Sequence, residues 1–527
     1  MTEEHPNHKW WTLFAMCFAL FMIMLDNTVV NVALPSIQSH LHTTPANLEW
    51  TVNAYVLSFA SLILLGGKLG DRFGRKRIFL LGLAIFTLSS AACALSTSDT
   101  QLIASRAVQG VGAAMLNPLS LSILVAAFPR KQLPQAIGIW AGISGLGLAI
   151  GPLLGGFLTE HVDWSAVFWI NVPIGIIAAA VCLWAVAESR DPSAKTLDIV
   201  GTVLITGGLF SLTWALIKTS SHSWTSAYTL GFLAAAAAMI VGFIVWELRQ
   251  RDPMVPLDFF KNRVFSISNT VVLMVGFAMF GVIYFITLYF QNVQGYSPMQ
   301  AGVRSLPLTM MVIIVAPIAG RLNTKIGPRP LMSAGMLMMT IGLLGLSRLQ
   351  VDTSYWAIWP FYVLMGAGIS MTMPSVSSAA MGAVDPTKAG VASGVVNSSR
   401  QVGGALGIAI LGSVGAALTI SQWEDKVGQI GAPAAAKSDS AEQLVIGGQG
   451  DLIGHVVSQA AGGSAGEAAR TAALEAFVHG VQGAMLVGAV LAFAACLTSF
   501  FGLRGTRAAE APPQPQGERA PTAAVEM

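Results

Sequence analysis

Fourteen mostly apolar stretches, each long enough for a membrane-crossing helix, recur along this chain. They cover 10–34, 47–66, 78–97, 102–127, 135–158, 166–187, 196–217, 227–248, 264–290, 299–320, 330–348, 355–380, 390–419 and 475–503. A run of about 18 or more apolar residues can span the hydrocarbon core as a helix. In that medium a helix satisfies its own backbone polar groups, which an open strand cannot do. Only 10% of the 527 residues are charged and the mean hydropathy is +0.65, whereas soluble domains carry about 25% charged residues. The expected fold class is an all-α polytopic membrane protein of 14 transmembrane helices. The net charge of +3 gives no reason to expect a nucleic-acid partner. Cys17, Cys93, Cys182 and Cys496 all fall inside apolar runs, a spacing that suggests neither disulfides nor a metal site. The first run is too long for a signal-peptide core and reads as span one of the mature protein.

Orientation follows from the loop cations, because cytoplasmic loops are enriched in Lys and Arg. With the N-terminus inside, the inner segments hold 21 of the 29 Lys and Arg residues and the outer segments six; Arg106 and Arg400 sit within spans. Both termini are therefore expected in the cytoplasm, with the chain in the cytoplasmic (inner) membrane. The segment 420–474, rich in Gly, Ala, Ser and Gln, reads as a flexible, polar extracytoplasmic loop. The Pro-rich tail 504–527 reads as a disordered cytoplasmic end.

The chain also repeats itself. Gly110-Val-Gly112-Ala-Ala-Met115-Leu-Asn-Pro118 matches Gly366-Ala-Gly368-Ile-Ser-Met371-Thr-Met-Pro374 at an offset of 256. Gly67-Lys68-Leu69 matches Gly320-Arg321-Leu322 at 253. Spans 1–6 then correspond to spans 9–14 with the same orientation, and spans 7 and 8 are an insert. The expected domains are a six-helix bundle over 1–190, a two-helix insert over 191–260 and a second six-helix bundle over 261–503. Two parallel repeats suit rocking of two bundles about a midplane site.

Asp26 stands out within the first span. A carboxylate there costs roughly 2.5–3.5 kcal/mol on insertion scales, so it needs a reason. It reads as a proton carrier, as a partner for a cationic substrate, or as a structural acid satisfied by polar neighbours. The loop charges place it in the outer half of its span. Arg106 and Gln109 are three apart and share a helix face; Arg106 needs an anion or carbonyls, and Asp26 is one candidate. Arg106 cannot deprotonate, so it could tune a carboxylate without carrying the proton, or simply tether the bundle. Asn31, Tyr55, Gln109, Asn117, Gln291, Asn397 and Arg400 are candidates for lining a cavity. Met22, Met24, Met115, Met274, Met310, Met311, Met371 and Met373 would suit an adaptable apolar pocket. Spans 9–13 contain no Asp or Glu, while Glu49 and Asp198 lie near span ends. With Asp26 as the one deeply placed acid, a one-proton cycle is simplest and dicationic substrates are disfavoured.

Between spans 2 and 3 lies Gly67-Lys68-Leu69-Gly70-Asp71-Arg72-Phe73-Gly74-Arg75-Lys76-Arg77. Gly67 and Gly74 would permit a tight turn, and Asp71 is one acid among five bases. This ordered pattern resembles the major facilitator superfamily. Arg106-Ala-Val-Gln109-Gly110 is similar to that superfamily's fourth-span motif. Gly147-Leu-Ala-Ile-Gly151-Pro152-Leu-Leu-Gly155-Gly156 is similar to its antiporter motif. Leu25-Asp26-x-Thr28 through Pro35, Trp169-Ile-Asn171-Val-Pro173 and Arg400-Gln401-x-Gly403-Gly404 resemble signatures of the fourteen-span drug:proton antiporters.

The resemblance implies a major facilitator fold, coupling through the first-span acid, and a fifth span that helps close one side of the cavity. It implies export of amphipathic or cationic drugs, driven by a proton gradient without a bound cofactor, by a monomer in a lipid bilayer. Gly66-Gly67-Lys68-Leu69 is no phosphate-binding loop, and no nucleophile–base pair suggests an enzyme. Export of a lipid or one native metabolite is the alternative within transport. A non-transporting membrane sensor or scaffold is the alternative outside it.

Overall fold

The computed structural model describes residues 8–129, 132–190, 198–218, 224–250, 253–384, 389–429, 436, 438–461 and 463–503. The tail 504–527 and the loop cations Arg130, Lys131, Lys195, Arg251 and Lys388 lie outside them. Among the described residues every regular element is a helix. The first group comprises α1 (His8–Leu41), α2 (Pro45–Phe73), α3 (Arg75–Ala94), α4 (Asp99–Ala127), α5 (Leu133–His161), a short α6 (Ala166–Trp169) and α7 (Asn171–Ala185). Then come α8 (Ile199–Ile217) and α9 (Ala227–Arg249). The second group comprises α10 (Arg263–Leu288), α11 (Pro298–Ile326), α12 (Pro328–Leu346), α13 (Tyr355–Gly382), α14 (Ala389–Gln429), α15 (Asp439–Ile446), α16 (Gly450–Ala461) and α17 (Gly463–Gly502). Among the described residues thirteen segments are long and apolar enough to cross a membrane, α6 and α7 counting as one. With α5, they account for the fourteen expected spans.

Local sequence sets the helix ends. Ser98 accepts a hydrogen bond from the Gln101 backbone N–H at the start of α4, and Ser297 with Gln300 forms a reciprocal capping box on α11. Pro45 and Pro298 stand in first turns, where the missing N–H costs nothing.

The sequence repeat is visible in the packing. In the first group α1 packs on α5, α2 on α4, and α3 on α4 and α7. In the second, α10 packs on α14, α11 on α13, and α12 on α13 and α17. These are the same pairings at repeat-related positions. The two groups meet through α5 against α11 and through α2 against α14. Glycines make the approaches close. A Cβ on Gly110 would lie 2.5 Å from the Tyr55 carbonyl oxygen, and one on Gly112 2.6 Å from the Phe86 backbone nitrogen. Such contacts are the small-residue packing on which helices in lipid rely.

Three expectations need correction. The segment 420–474 is not a loose polar loop. α14 continues to Gln429, α15 and α16 follow, and α17 already begins at Gly463. Trp423, Val427, Val445, Ile453 and Val457 bury one another in a small core of their own. The Gly/Ala/Ser background hid apolar residues at helical spacing, such as Leu444-Val445 and Leu452-Ile453. Ion pairs of Lys426 with Glu475 and Arg470 with Asp451 tie its helices together. Residues 430–435, 437 and 462 of this segment lie outside the described ones. Second, Asp26 sits near the middle of α1, because the helix carries on through Pro35 to Leu41. Third, Gly67 makes no turn. α2 runs through it to Phe73, and the chain reverses at Gly74 alone, with φ +114°.

Candidate functional site

Asp26 lies inside the first helix group, 0% exposed, on the face of α1 turned to α4 and α7. Both carboxylate oxygens are engaged. Arg106 Nη1 donates to Oδ2 at 2.6 Å, while Gln109 Nε2 and Asn171 Nδ2 donate to Oδ1 at 2.9 and 3.0 Å. The spacing of Arg106 and Gln109, one helical turn apart on α4, brings both to the same carboxylate. The guanidinium has further partners: Nη1 also donates to Gln109 Oε1 at 2.8 Å, and Nε donates to the Thr51 carbonyl at 3.1 Å. Tyr55 and Phe168 present ring faces to it at 4.2 and 5.8 Å, a cation–π arrangement that is strongest where water is excluded. Asn171 also donates to Ser90 Oγ at 3.0 Å. The result is a closed ion pair with both carboxylate oxygens hydrogen-bonded, a condition that helps a buried pair to be tolerated.

The placement differs from expectation for several residues. Gln109 and Tyr55 do not line the cavity between the two helix groups; both are 0% exposed and complete the Asp26–Arg106 cluster. Asn171 stands in the Trp169–Pro173 signature, yet nothing in the sequence indicated that its amide would reach Asp26. Gln291 also lies away from the main cavity. It sits in a π-helical turn, Tyr289–Val293, and donates from Nε2 to the Val32 carbonyl at 2.8 Å.

The main cavity has a volume of about 350 Å3 and lies between the two helix groups. Asn27 and Thr28 of α1 and Asn117 of α4 face it from one side; Thr309, Ser370, Asn397 and Arg400 face it from the other. The remaining wall is mostly apolar. Of the eight methionines singled out, Met24 and Met373 line it, and Met279, not singled out, joins them. Asn31 borders a smaller adjoining space with Thr28 and Pro152. Leu20, Trp140, Ala316 and Ser377 extend the lining toward the end of the molecule where α1 begins and α17 finishes. Asp26 is therefore one residue from the cavity wall at Asn27, but turned away from it.

On the opposite side the two groups are sealed. Gly156 of α5 meets the start of α11, where a Cβ would lie 2.6 Å from the Pro298 carbonyl oxygen; one on Gly302 would collide with the Pro152 carbonyl. Met299 donates its backbone N–H to Glu160 Oε2 at 3.0 Å. Gly147 and Gly155 serve a different contact: Cβ atoms there would approach the Phe21 and Val29 carbonyl oxygens of α1 at 3.0 and 2.8 Å, and Gly151 meets Thr28. The glycines of α5 thus divide between packing within a group and sealing between groups.

Asp26 is not the only deeply placed acid. Glu49 is 7% exposed at the α2–α14 seam, with Oε2 lacking a hydrogen-bond partner and the bare Gly412 making room for it. Asp198 is buried too, capping α8 through the Gly201 N–H at 2.8 Å. Helix starts that pack against neighbouring helices remove both from water, and the sequence argument for a one-proton cycle loses its premise.

At the other end, Asp71 accepts from Arg75 Nε at 2.8 Å. Lys76 Nζ donates to the Leu183 carbonyl at 2.9 Å, and the Arg72 guanidinium lies 5.2 Å from the centre of the Phe73 ring. Glu188, beyond α7, accepts from the Lys76 backbone N–H at 3.0 Å. That carboxylate sits where the α3 N-terminus favours negative charge. A Cβ at Gly74 would lie 2.8 Å from it. Among the described residues no group of His, Cys, Asp or Glu is arranged to hold a metal ion.

Residues 16–408 match the family model described as Major Facilitator Superfamily. The chain belongs to that superfamily. Its members with known functions include relatives of this chain named for resistance and export. The tetracenomycin C resistance and export protein of Streptomyces glaucescens is 36% identical over 522 residues, 98% of this chain and 94% of that one. The multidrug resistance protein Stp of Mycobacterium tuberculosis (strain CDC 1551 / Oshkosh) is 37% identical over 77% of this chain and 76% of its own length. The puromycin resistance protein pur8 of Streptomyces alboniger is 36% identical over 79% and 84%. A solved bacterial homologue of the human lysosomal transporter Spinster, inward-facing and unoccupied, superposes with a TM-score of 0.63 at 18% identity, covering 94% of this chain and 99% of that one. That likeness shows a shared fold, and the family match makes it the fold of a multi-pass membrane transporter.

Proposed function

We propose that this chain is a proton-coupled antiporter that exports antibiotic-like small molecules across the cytoplasmic membrane by alternating access, with both termini in the cytoplasm. The observation that carries this reading is the closed Asp26–Arg106 pair set one residue behind a cavity shared by two repeat-related bundles. With the termini inside, the cavity opens to the cytoplasm and the α5–α11 seam seals the outside. In this state Asp26 is held by a cation and two amides, the arrangement of a carrier that has given up its proton and awaits cargo. Protonation from the outside would neutralise the carboxylate and release Arg106. The two access states then differ in free energy by the difference between these interactions, which is what coupling requires. Relatives named for tetracenomycin C, puromycin and multidrug resistance support a drug-like cargo.

The energy source is tested in everted vesicles by adding a fluorescent substrate to the medium and following its accumulation in the lumen. Collapsing the pH gradient with a protonophore should abolish uphill transport, while ATP without a gradient should not restore it. Transport that survives gradient collapse would overturn the reading.

A further inference from the structure

Arg400 presents a different electrostatic problem from Arg106. It is borne on α14, lines the main cavity, and its Nε is buried without a hydrogen-bond partner. Among the described residues no carboxylate lines that cavity, and spans 9–13 supply none. Asp26, one residue from the cavity wall, is turned into the first bundle and already neutralised by Arg106. The pair therefore contributes no net charge to offset Arg400. The repeat offers no explanation either, since the related position is Ser144. The cavity thus combines a large apolar wall, several neutral hydrogen-bonding side chains and one guanidinium that the protein leaves uncompensated. An uncompensated charge at this depth is costly, and the cost is recovered only when an anion arrives.

We infer that Arg400 is an anion-recognition residue, and that the cavity's cargo is an amphipathic organic acid: an apolar body carrying one carboxylate or equally acidic oxygen. This rests on the transporter reading above but specifies its substrate class, and it runs against the expectation of cationic cargo. A guanidinium offers a carboxylate two parallel donors. Asn397, three residues earlier on the same helix, and Asn117 across the cavity can hydrogen-bond the same group or a neighbouring one. Met24, Met279, Met373 and Phe280 would hold the apolar body. A lipophilic cation would instead meet Arg400 in a low-dielectric space with no acid to receive it.

The test is equilibrium binding to the purified full chain, followed by fluorescence of three probes matched in shape. These are anthracene carboxylate, its methyl ester and anthracenylmethylammonium. Native protein should bind the carboxylate most tightly and the ammonium least. Arg400→Gln should weaken carboxylate binding about tenfold or more, the scale of a lost charge-assisted pair, while ester binding changes less than about twofold. Unchanged ester binding reports that the variant is folded, and Arg400→Lys, which keeps the charge, should recover part of the affinity. Equal loss for all three probes would make Arg400 structural. Native preference for the ammonium, or no preference for the carboxylate over its ester, would overturn the assignment. Binding needs no proton gradient, so this result stands apart from any failure of the coupling mechanism.

Discussion

Arg106 Nη1 lies 2.6 Å from Asp26 Oδ2 with both side chains sealed from solvent. Removing the cation alone leaves a buried carboxylate unpaired, a change that costs about 3–5 kcal/mol in comparable pairs. Arg106→Ala should therefore lower thermal stability in detergent sharply. Asp26→Asn with Arg106→Gln, which removes both charges, should recover most of that loss. If Arg106→Ala unfolds at the native temperature, the pair is not the structural element described here.

Two glycine substitutions separate packing within a bundle from the seal between bundles. Gly110→Ala forces a Cβ into the Tyr55 backbone and should cost about 1–3 kcal/mol of stability, as overpacking does. Gly302→Ala collides across the α5–α11 seam and should leave each bundle intact while opening the seal. Labelling of a cavity cysteine, Ser377→Cys, by an impermeant maleimide from the terminus side should then fall. Unchanged labelling would mean the seam does not control access.

The small core around Trp423 predicts a local failure. Trp423 is 1% exposed and its Nε1 donates to the Ala436 carbonyl at 3.2 Å. Trp423→Ala should cost about 3–5 kcal/mol of this core's packing and expose 438–461 to protease, with the membrane helices still resistant. Equal protease resistance in both proteins would contradict the packed arrangement.

Gly74→Ala places a side chain at φ +114° and against Glu188. Strain of this kind is worth about 1–3 kcal/mol. Glu188→Ala in the same background should relieve part of the clash but lose the anchor on α3, so the double variant should not regain native stability by thermal unfolding.

Much of this was legible in the sequence because membrane burial makes polar residues conspicuous. Asp26 and Arg106 each demanded a partner, and their pairing was among the possibilities the spans allowed. The paired repeats announced the two-bundle packing through glycines at two nearly equal offsets. What could not be read is which way a polar side chain faces. Gln109 and Tyr55 serve the ion pair, because helix rotation, not span membership, decides between cluster and cavity. Asn171 and Glu188 act through contacts more than a hundred residues distant from their partners. Glu49 looked like a span-end acid until α14 covered it. The helical core of 420–474 was masked by its own Gly and Ala content.

The central claim is that Asp26 couples proton movement to export. In reconstituted vesicles, gradient-driven accumulation and substrate-for-substrate counterflow should be measured side by side for the native chain and Asp26→Asn. The account predicts that Asp26→Asn loses gradient-driven accumulation and keeps counterflow, because the cavity survives while the proton carrier is gone. Native-level accumulation by Asp26→Asn under a proton gradient would contradict it.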